Sequence, residues 1–583
     1  MLKLRRFLKD YKKECIIGPL CKLFEAILEL LVPLVMADVI DTGLGTLYGT
    51  PESAPYVLRG GGLMVLLAVL GWSSAMFTQY FASKASQGAG TRIRTALYRH
   101  INTLSHAELD RLGTPSLITR MTNDVNQVQQ TIAMTIRLLT RAPFIIIGSL
   151  VMTMTISPKL SLIFLAAAVV IGVTLYLVMS RSIPIFSLMQ KKLDRIGVIS
   201  RENLSGARVI RAFSKQNAEK KRVDEATDEL AKTAVRVSRL SALLSPVTYA
   251  AAYLAMIAIL WFGGVQVNSG ELRTGDIIAL ISYMTQILLA MVVVANLVLL
   301  MTKSSASAKR INEVFETEPS VVERRTEPIQ PNTAEDVPKL EFDNVSFNYG
   351  EGDDELSGVS LRVMRGQTLG IIGGTGSGKS TLVNLIPRFY DVKDGCVKID
   401  GADVRDYPFS QLREQIGIVP QQSVLFSGTL RDNLRMRKSD ATDDELIAAL
   451  KTAQAYDFVS RLPRGLDSHV EQGGRNFSGG QRQRLCIARA LVGKPGLLIL
   501  DDSFSALDFA TDAALRRALN EDTRGATAVI VAQRVSTVRY ADRIAVLHDG
   551  ELVGFGTHDE LISGCETYRE ICLSQLSAEE VGA

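Results

Sequence analysis

The chain has 583 residues, 47% of them hydrophobic, and a formal net charge of +4. This length exceeds that of a typical single domain, and the hydrophobic content indicates that part of the chain does not fold in water. The small net charge gives no reason to expect a nucleic-acid partner, and the six cysteines include no CxxC pair, which argues against a disulfide framework or a zinc site.

The N-terminal half contains six segments long enough to cross a bilayer, which takes about 20 mostly apolar residues. They lie at residues 15–40, 60–82, 128–156, 160–181, 241–267 and 276–302. Residues 1–14 and the long connections 83–127 and 182–240 are rich in Lys and Arg. The positive-inside rule therefore places both termini in the cytoplasm of a multi-pass protein of the cell membrane.

The two basic connections lack the composition of flexible loops and are predicted to continue the spans as charged helices. Each is expected to turn at a short segment, near residues 112–118 and 206–213. Residues 1–316 are thus predicted to form an all-α transmembrane domain with six helices and two long cytoplasmic connections.

Several polar residues lie within the predicted spans. They are Glu25, Glu29, Arg137, Arg141, Gln286 and Asn296. Such residues usually face a cavity or one another. Two interpretations stay open: a binding surface for a cationic or amphipathic substrate, or ion pairing between helices and snorkelling to the headgroups. The second is favoured.

A polar stretch with four prolines, residues 317–338, is predicted to be a linker. From residue 339 to 583, strand-like and helix-like runs alternate, which indicates an α/β domain. The fold class is therefore multi-domain, an all-α six-helix transmembrane domain followed by an α/β domain of the P-loop NTPase type.

A phosphate-loop motif, GGTGSGKST, follows a strand-like segment at residues 368–372. Glycines allow backbone N–H groups to wrap a triphosphate, Lys379 is expected at the β and γ phosphates, and the Ser380 hydroxyl at Mg²⁺. The helix that follows adds its positive end. The predicted ATP-binding residues of this loop are Gly373, Gly374, Thr375, Gly376, Ser377, Gly378, Lys379, Ser380 and Thr381.

Two further motifs lie downstream in a fixed order. A serine-glycine-glycine turn formed by Ser478, Gly479, Gly480 and Gln481 precedes a helix, and an apolar strand at residues 497–500 ends in Asp501, a candidate Mg²⁺ ligand. Over essentially its whole length the chain resembles the half-transporters among the ATP-binding-cassette (ABC) exporters. In the second domain the resemblance extends motif by motif, and in the membrane half it is one of topology.

The resemblance implies further roles. Tyr349 corresponds to the aromatic residue that stacks on adenine, Gln421 to the Q-loop residue that senses Mg²⁺, residues 478–481 to the signature motif and Asp508 to the D-loop. In this family two cassettes enclose two ATP molecules, each between one chain's phosphate loop and the other chain's signature. A single chain is therefore expected to be incomplete without a second half-transporter.

Two positions depart from the family pattern. Asp502 stands where competent sites have the Glu that polarises the attacking water, and Gln533 replaces the switch His. A side chain one methylene shorter misplaces a general base, and an amide cannot carry a positive charge. We therefore expect this chain's site to bind ATP and Mg²⁺ but hydrolyse ATP poorly, within a heterodimer. A homodimer with two slow sites is the alternative.

The expected function is ATP-driven export of hydrophobic or amphipathic, drug-like compounds by a complex that also contacts membrane lipids. A lipid or peptide exporter is the alternative within transport, since nothing in the spans separates these cargoes. A nucleotide-sensing regulatory subunit that carries no substrate is the alternative from another class, and the changes at Asp502 and Gln533 favour it slightly.

Overall fold

The computed structural model describes residues 2–332, 334–350, 352–505, 507–522 and 526–576. The chain divides into two compact units. Residues 1–102 and 114–317 form the first, called here the helical unit, and residues 103–113 and 318–583 form the second, called here the α/β unit.

The described N-terminal part of the chain, residues 2–316, consists of helices joined by short turns and contains no strand. Its α-helices are α1 (Lys12–Asp38), α2 (Ser53–Ile101), α3 (His106–Leu112), α4 (Thr114–Thr119), α5 (Val125–Met134), α6 (Arg141–Ile156), α7 (Pro158–Ser205), α8 (Ala207–Ala212), α9 (Gln216–Ala242), α10 (Leu244–Asn268) and α11 (Thr274–Glu316). A 3₁₀-helix, Leu2–Tyr11, precedes α1, and π-helical turns occupy Val39–Thr46, Arg120–Asp124 and Thr135–Leu139. Of these elements α3 belongs to the α/β unit.

Five segments of the described chain are long and apolar enough to cross a membrane. They are Ser53–Ile101, Thr114–Ile156, Pro158–Ser205, Gln216–Asn268 and Thr274–Val294. The first of the six predicted spans is not among them. Helix α1 covers it and has sufficient length, but Lys22, Glu25 and Glu29 place charges along its middle. The predicted class, a helical transmembrane domain, is nevertheless confirmed.

The two basic connections are helical, as predicted. Helix α2 continues to Ile101 and α7 to Ser205, well beyond the apolar parts of these helices. The first connection breaks on either side of α3, where Gly113 has a φ of 73°, in the left-handed region that favours glycine. The second turns at the short helix α8, whose residues are all at least partly exposed.

The core of the helical unit lies between α1, α6, α7, α10 and α11. Phe164, Ile171, Ile259 and Leu280 are fully buried there. Tyr283 is also fully buried, and its hydroxyl donates to the Leu30 carbonyl oxygen at 2.6 Å. This bond satisfies the only polar group of a large aromatic side chain and joins α11 to α1.

Three of the polar residues predicted in the spans, Glu25, Glu29 and Arg141, form ion pairs. Arg141 donates to Glu29 at 2.7 Å, which joins α6 to α1, and Lys22 pairs with Glu25 at 2.7 Å within α1. Ion pairing between helices, the interpretation favoured from the sequence, therefore holds for Glu29 and Arg141. The side chain of Asn296 lies outside the described residues.

The α/β unit contains short strands and helices after α3. Its described strands are β1 (Leu340–Phe347), β2 (Leu356–Val363), β3 (Thr368–Gly373), β4 (Asp394–Ile399), β5 (Ala402–Asp403), β6 (Ile416–Val419), β7 (Gly428–Thr429), β8 (His469–Val470), β9 (Leu497–Asp501), β10 (Thr527–Val531), β11 (Arg543–His548) and β12 (Glu551–Gly556). Its further described helices are α12 (Lys379–Leu385), α13 (Phe409–Glu414), α14 (Leu430–Leu434), α15 (Asp443–Thr452), α16 (Tyr456–Ser460), α17 (Gly479–Leu491), α18 (Phe509–Asp522), α19 (Val535–Val538), α20 (His558–Gly564) and α21 (Glu566–Gln575).

Two main sheets carry this unit. A six-stranded sheet has the order β12-β11-β3-β10-β9-β6, in which the pairs from β11 to β6 are parallel. An antiparallel sheet has the order β2-β1-β4-β5. The central strands are buried on both faces, as parallel strands covered by helices require, and this explains their continuous apolar sequence. The predicted α/β fold is confirmed.

A buried charge cluster near the start of β1 gives the first testable prediction. Lys339 pairs with Asp400 at 2.8 Å, and both side chains are more than 90% buried. The Asp400→Asn variant keeps the shape and tolerates the left-handed φ of 51°, but it leaves the Lys339 ammonium without its acidic partner. We expect a loss of about 3–5 kcal/mol in the stability of the α/β unit, measured by denaturation of the purified chain.

The matched control is Asp354→Asn, which removes an ion pair with Lys393 that is open to solvent. Exposed pairs contribute about 0–1 kcal/mol, so this variant should unfold close to the wild type. Equal effects of the two substitutions would show that burial does not decide the strength of the Lys339–Asp400 pair.

Candidate nucleotide site in the α/β unit

The predicted phosphate loop connects β3, which ends at Gly373, to α12, which begins at Lys379. Gly376 and Gly378 have φ values of 83° and 90°, which side chains with a Cβ rarely adopt. A Cβ on Gly374 or Gly376 would meet no atom within 4 Å, so the loop borders open space. A Cβ on Gly373 would clash with the Leu547 carbonyl oxygen. The loop therefore forms a cradle with room for a phosphate group.

Lys379 points its ammonium group back over the loop. Its Nζ donates to the Gly373 carbonyl oxygen at 3.0 Å and to Ser377 Oγ at 3.2 Å. Burial lowers the pKa of Lys379, while the nearby Asp501 and Asp502 carboxylates raise it. A half-buried ammonium beside exposed backbone N–H groups at a strand-to-helix turn is an arrangement that binds anions.

Ser380 and Asp501 meet beside this loop. Ser380 Oγ donates to Asp501 Oδ1 at 3.4 Å, and Asp501 is buried at the end of β9. Burial raises the pKa of Asp501 above its usual range, with a smaller contribution in the same direction from Asp502. A hydroxyl and a carboxylate are hard oxygen ligands, so the residues present fit Mg²⁺.

Asp502 has a tightly held backbone. Its φ is 46°, its N–H donates to the Val531 carbonyl oxygen at 3.0 Å, and its carbonyl oxygen accepts from Gln483 Nε2 at 3.2 Å. Burial raises the pKa of the Asp502 carboxyl, and the Gln421 amide, which hydrogen-bonds it, lowers it. The structure thus brings together Gln421 and Asp502, two residues predicted to belong to one site.

Gln533 follows β10, the strand between β3 and β9. Its side chain is exposed, and its carbonyl oxygen accepts from Gln575 Nε2 at 2.8 Å. Because β3, β10 and β9 are parallel neighbours, their carboxyl ends place the phosphate loop, Gln533 and Asp501 along one edge of the sheet. Ligands of open α/β sheets bind at this kind of edge.

Tyr349 lies next to the first turn of α12. Its hydroxyl and Thr381 Oγ1 are 3.0 Å apart, and its ring packs edge-on against Phe347 and Tyr390. Half of the side chain is exposed. The contacts fix the ring close to the phosphate loop while leaving surface on which a base can stack.

Ser478, Gly479, Gly480 and Gln481 form the N-terminus of α17. Ser478 Oγ accepts from the Gln481 N–H at 3.3 Å, and Gln481 Oε1 accepts from the Ser478 N–H at 2.9 Å, a reciprocal capping box. A Cβ on Gly479 would meet nothing within 4 Å. No hydrogen bond or ion pair joins these residues to the phosphate loop in the described parts of the chain.

Asp508 occupies the start of α18. Its carboxylate accepts from the Thr511 N–H at 2.9 Å and from Thr511 Oγ1 at 2.8 Å. The Thr511 backbone bond holds the pKa of Asp508 below its usual range. Asp508 is therefore ionised and oriented by the helix that it caps, with its side chain at the surface.

The sequence interpretation missed Gln483 as a residue of this site. Gln483 is buried in α17, two residues after the capping box, and it connects that helix to the backbone of Asp502. The sequence did contain a signal for it. Gln483 lies four residues before the buried Ile487, so the helical repeat places this polar residue on the buried face of α17. The side-chain amide of Gln483 thus connects the helix that begins at the Ser478–Gln481 motif to the backbone beside Asp501.

Comparisons with known proteins agree with this arrangement. The family described as the ABC transporter transmembrane region matches residues 15–292, and the family described as ABC transporter matches residues 356–505. An uncharacterised ABC transporter ATP-binding protein of Bacillus subtilis is 38% identical over 580 residues, 99% of each chain. A second Bacillus subtilis protein, whose name assigns it to multidrug export, is 32% identical over 98% of each chain.

Two further matches have more specific descriptions. The ATP-dependent lipid A-core flippase of Syntrophus aciditrophicus is 31% identical over 522 residues, 89% of this chain and 86% of that protein. A bacterial Atm1-family ABC exporter, solved with ATP bound, shares the fold with a TM-score of 0.78 over 99% of both chains at 24% identity. The chain therefore belongs to the ABC transporter family, as a half-transporter with an N-terminal transmembrane region and a C-terminal ABC ATPase domain.

Proposed function

We propose that this chain is one half of a heterodimeric exporter that uses ATP to move hydrophobic or amphipathic compounds across the cell membrane, with both termini in the cytoplasm. Residues 1–316 would serve as the transmembrane domain, 317–338 as the linker and 339–583 as the cassette. The proposed difference between the two nucleotide sites of the exporter rests on one observation. Asp502 and Gln533, the two departures from the family pattern, lie along the same edge of the sheet.

The nucleotide assignment is supported by the cradle formed by Gly374 and Gly376, by Lys379 above it and by the Ser380–Asp501 pair. Tyr349 would stack on the base, and Ser380, Asp501 and Gln421 would hold Mg²⁺, which neutralises charge on the phosphates. Asp502 is one methylene shorter than Glu and is buried enough to raise its pKa. The site would therefore retain ATP and hydrolyse it slowly.

The partner assignment is supported by the exposed N-terminus of α17. Its Ser478 and Gly479 have no hydrogen bond or ion pair with this chain's own phosphate loop among the described residues, which suits the completion of a site on a second chain. In exporters of this family the second cytoplasmic connection reaches the partner's cassette. Helix α8 fits such a contact, since Val209 is 60% exposed and the adjoining Phe213 is 72% exposed.

This contact can be tested by cross-linking. A cysteine introduced as Ala212→Cys at the end of α8 should form products with a cysteine in the partner's cassette. A cysteine at Ala231 within α9 serves as the comparison and should not form them. Products confined to a single chain would refute the assignment of α8.

The class of transported compound is less closely defined than the use of ATP. One relative is named for multidrug export and another as a lipid A-core flippase, which supports a drug-like compound with a lipid as the alternative. The rival from another class, a nucleotide-sensing subunit that carries no substrate, would bind ATP in the same cradle. Stimulation of ATPase by a transported compound is expected of an exporter and not of a sensor.

The deciding experiment is the ATPase activity of the purified chain, alone and with a candidate partner half-transporter. We expect negligible activity alone and strong activity in the pair. Replacement of the partner's catalytic Glu should abolish the activity, whereas Asp502→Ala in this chain should leave most of it. Strong activity from this chain alone would instead support a homodimer in which Asp502 suffices as the base.

A further inference from the structure

A small, mostly apolar cavity with three polar residues in its lining lies between α1, α6 and α11 of the helical unit. Its volume is about 80 Å³, and its polar lining consists of Glu29, Arg141 and Gln286. The remaining wall is apolar and includes Ile145 and Leu289. This volume accommodates a small charged headgroup but not a whole drug-sized molecule, which occupies a pocket of roughly 300–1,000 Å³.

The charges around this cavity do not cancel. Arg141 pairs with Glu29, and Lys22 pairs with Glu25, so each of these pairs is neutral. Arg137 lies one helical turn before Arg141, and no carboxylate of the described chain is within ion-pair distance of it. Among the described residues its only hydrogen bond is a long one of 3.5 Å to Ser83 Oγ. Arg137, which lies outside the lining, therefore adds one positive charge beside a cavity whose own ion pair is neutral.

The hydrogen-bonding groups of the same residues are also incompletely satisfied. Arg137 Nε and Arg141 Nε are buried and have no hydrogen-bond partner in the described part of the chain, and the same is true of Gln286 Oε1. Buried polar groups are normally paired, because leaving them unpaired is costly. Of these residues Arg141 and Gln286 line the cavity. The Arg141 guanidinium therefore requires an acceptor there, and the Gln286 amide can turn its NH₂ group to the same ligand.

The ion pair itself is accessible to a ligand. The Glu29 and Arg141 side chains are 37% and 30% exposed, unlike a pair enclosed in a core. A ligand carboxylate could therefore replace Glu29 at the Arg141 guanidinium, whose planar fork favours a two-point contact with a carboxylate. Glu29 would return to Arg141 when the ligand leaves.

We propose that this cavity binds the headgroup of an amphipathic organic anion, with Arg141 as the direct contact, Arg137 supplying the excess positive charge and Glu29 competing for Arg141. The apolar chain of the ligand would lie along Ile145 and Leu289. The inference rests on the proposed export function and gives it a substrate class, which is opposite in charge to the cationic class considered from the sequence.

The test uses radiolabelled laurate and the full-length chain, with its partner where a pair forms, in lipid nanodiscs without nucleotide. We expect saturable laurate binding that excess dodecyltrimethylammonium does not displace. Arg141→Gln should weaken it about tenfold to a hundredfold, since a charged hydrogen bond is lost. Lys159→Gln, which removes an exposed pair with Glu271, is the matched control and should change nothing.

Glu29→Gln gives the sharpest discrimination. If Glu29 competes with the ligand, this variant should tighten laurate binding several-fold, because Arg141 is released. If the cavity instead holds a cation, Glu29→Gln should abolish binding of dodecyltrimethylammonium, and that result would overturn the proposal. The absence of saturable laurate binding by the wild-type chain would overturn it as well.

A second variant covers the case in which Arg141→Gln does not fold with Glu29 left unpaired. Glu29→Gln with Arg141→Gln removes both charges together and should still bind laurate weakly. Retained wild-type affinity in this double variant would overturn the proposal. The binding assay needs no ATP hydrolysis, so its outcome is independent of the transport test. A chain that binds laurate but does not transport would contradict only the export function. An active exporter that does not bind laurate would contradict only the proposal for this cavity.

Discussion

Replacing Asp502 by Glu and Gln533 by His together should raise ATP turnover at this chain's own site by about 10²- to 10⁴-fold, the usual contribution of a positioned general base. The backbone at residue 502 is held by its bonds to Val531 and Gln483, so a longer side chain extends from a fixed origin. Gln533 is exposed, and a histidine fits there without repacking the core.

The measurement is the ATPase activity of the assembled pair in which the partner's catalytic Glu has been removed, so that only this site contributes. The matched control is Asp502→Asn with Gln533→His, which has the same switch residue but no base, and it should show no gain. Unaltered turnover in the Glu and His variant would mean that the missing base does not explain the slow site.

The candidate nucleotide site could be proposed from the sequence because the residues that define it are local in sequence. The phosphate loop requires glycines at a strand-to-helix turn, and both its residues and its setting between β3 and α12 are adjacent along the chain. The Ser478–Gln481 capping box is equally local, with partners three residues apart. Patterns of this kind can be recognised without knowledge of the tertiary structure.

Contacts between distant elements were not predictable in the same way. Glu29 and Arg141 are separated by 112 residues, and nothing in either helix specifies the other as its partner. The docking of α3 within the α/β unit is a second case, since His106 stacks on Phe389 with ring centroids 4.4 Å apart and Asp110 accepts from the Tyr390 hydroxyl. The sequence indicated a turn near residues 112–118, where Gly113 lies, but it indicated neither the break before α3 nor the contacts of this helix.

The first span shows a limit of hydropathy as a criterion. Residues 15–40 are numerous enough to span a bilayer as a helix. The charged residues of α1, however, exclude this segment from those that are apolar enough to cross a membrane. The structure gives these charges partners, Lys22 with Glu25 and Glu29 with Arg141. A helix can thus remain part of a helical membrane unit when neighbouring side chains neutralise its charges.

Gly479→Asp should nearly abolish the ATPase activity of the assembled pair while leaving this chain as stable as the wild type. A Cβ at Gly479 meets no atom within 4 Å, and a carboxylate in the first turn of α17 is favourable for the helix itself. Toward a phosphate on the partner's loop, however, the new charge is repulsive. Two like charges about 4 Å apart cost about 4 kcal/mol at an effective dielectric constant of 20, equivalent to about 10³-fold.

The matched control places the same charge in this chain's own phosphate loop. Gly374→Asp is also free of steric conflict, because a Cβ there meets nothing within 4 Å. If the signature of this chain completes the productive site and its own loop serves the slow one, Gly479→Asp must reduce steady-state ATPase far more than Gly374→Asp. Equal losses, measured on pairs with unchanged melting temperature, would mean that both sites turn over alike and that the asymmetry inferred from Asp502 and Gln533 is wrong.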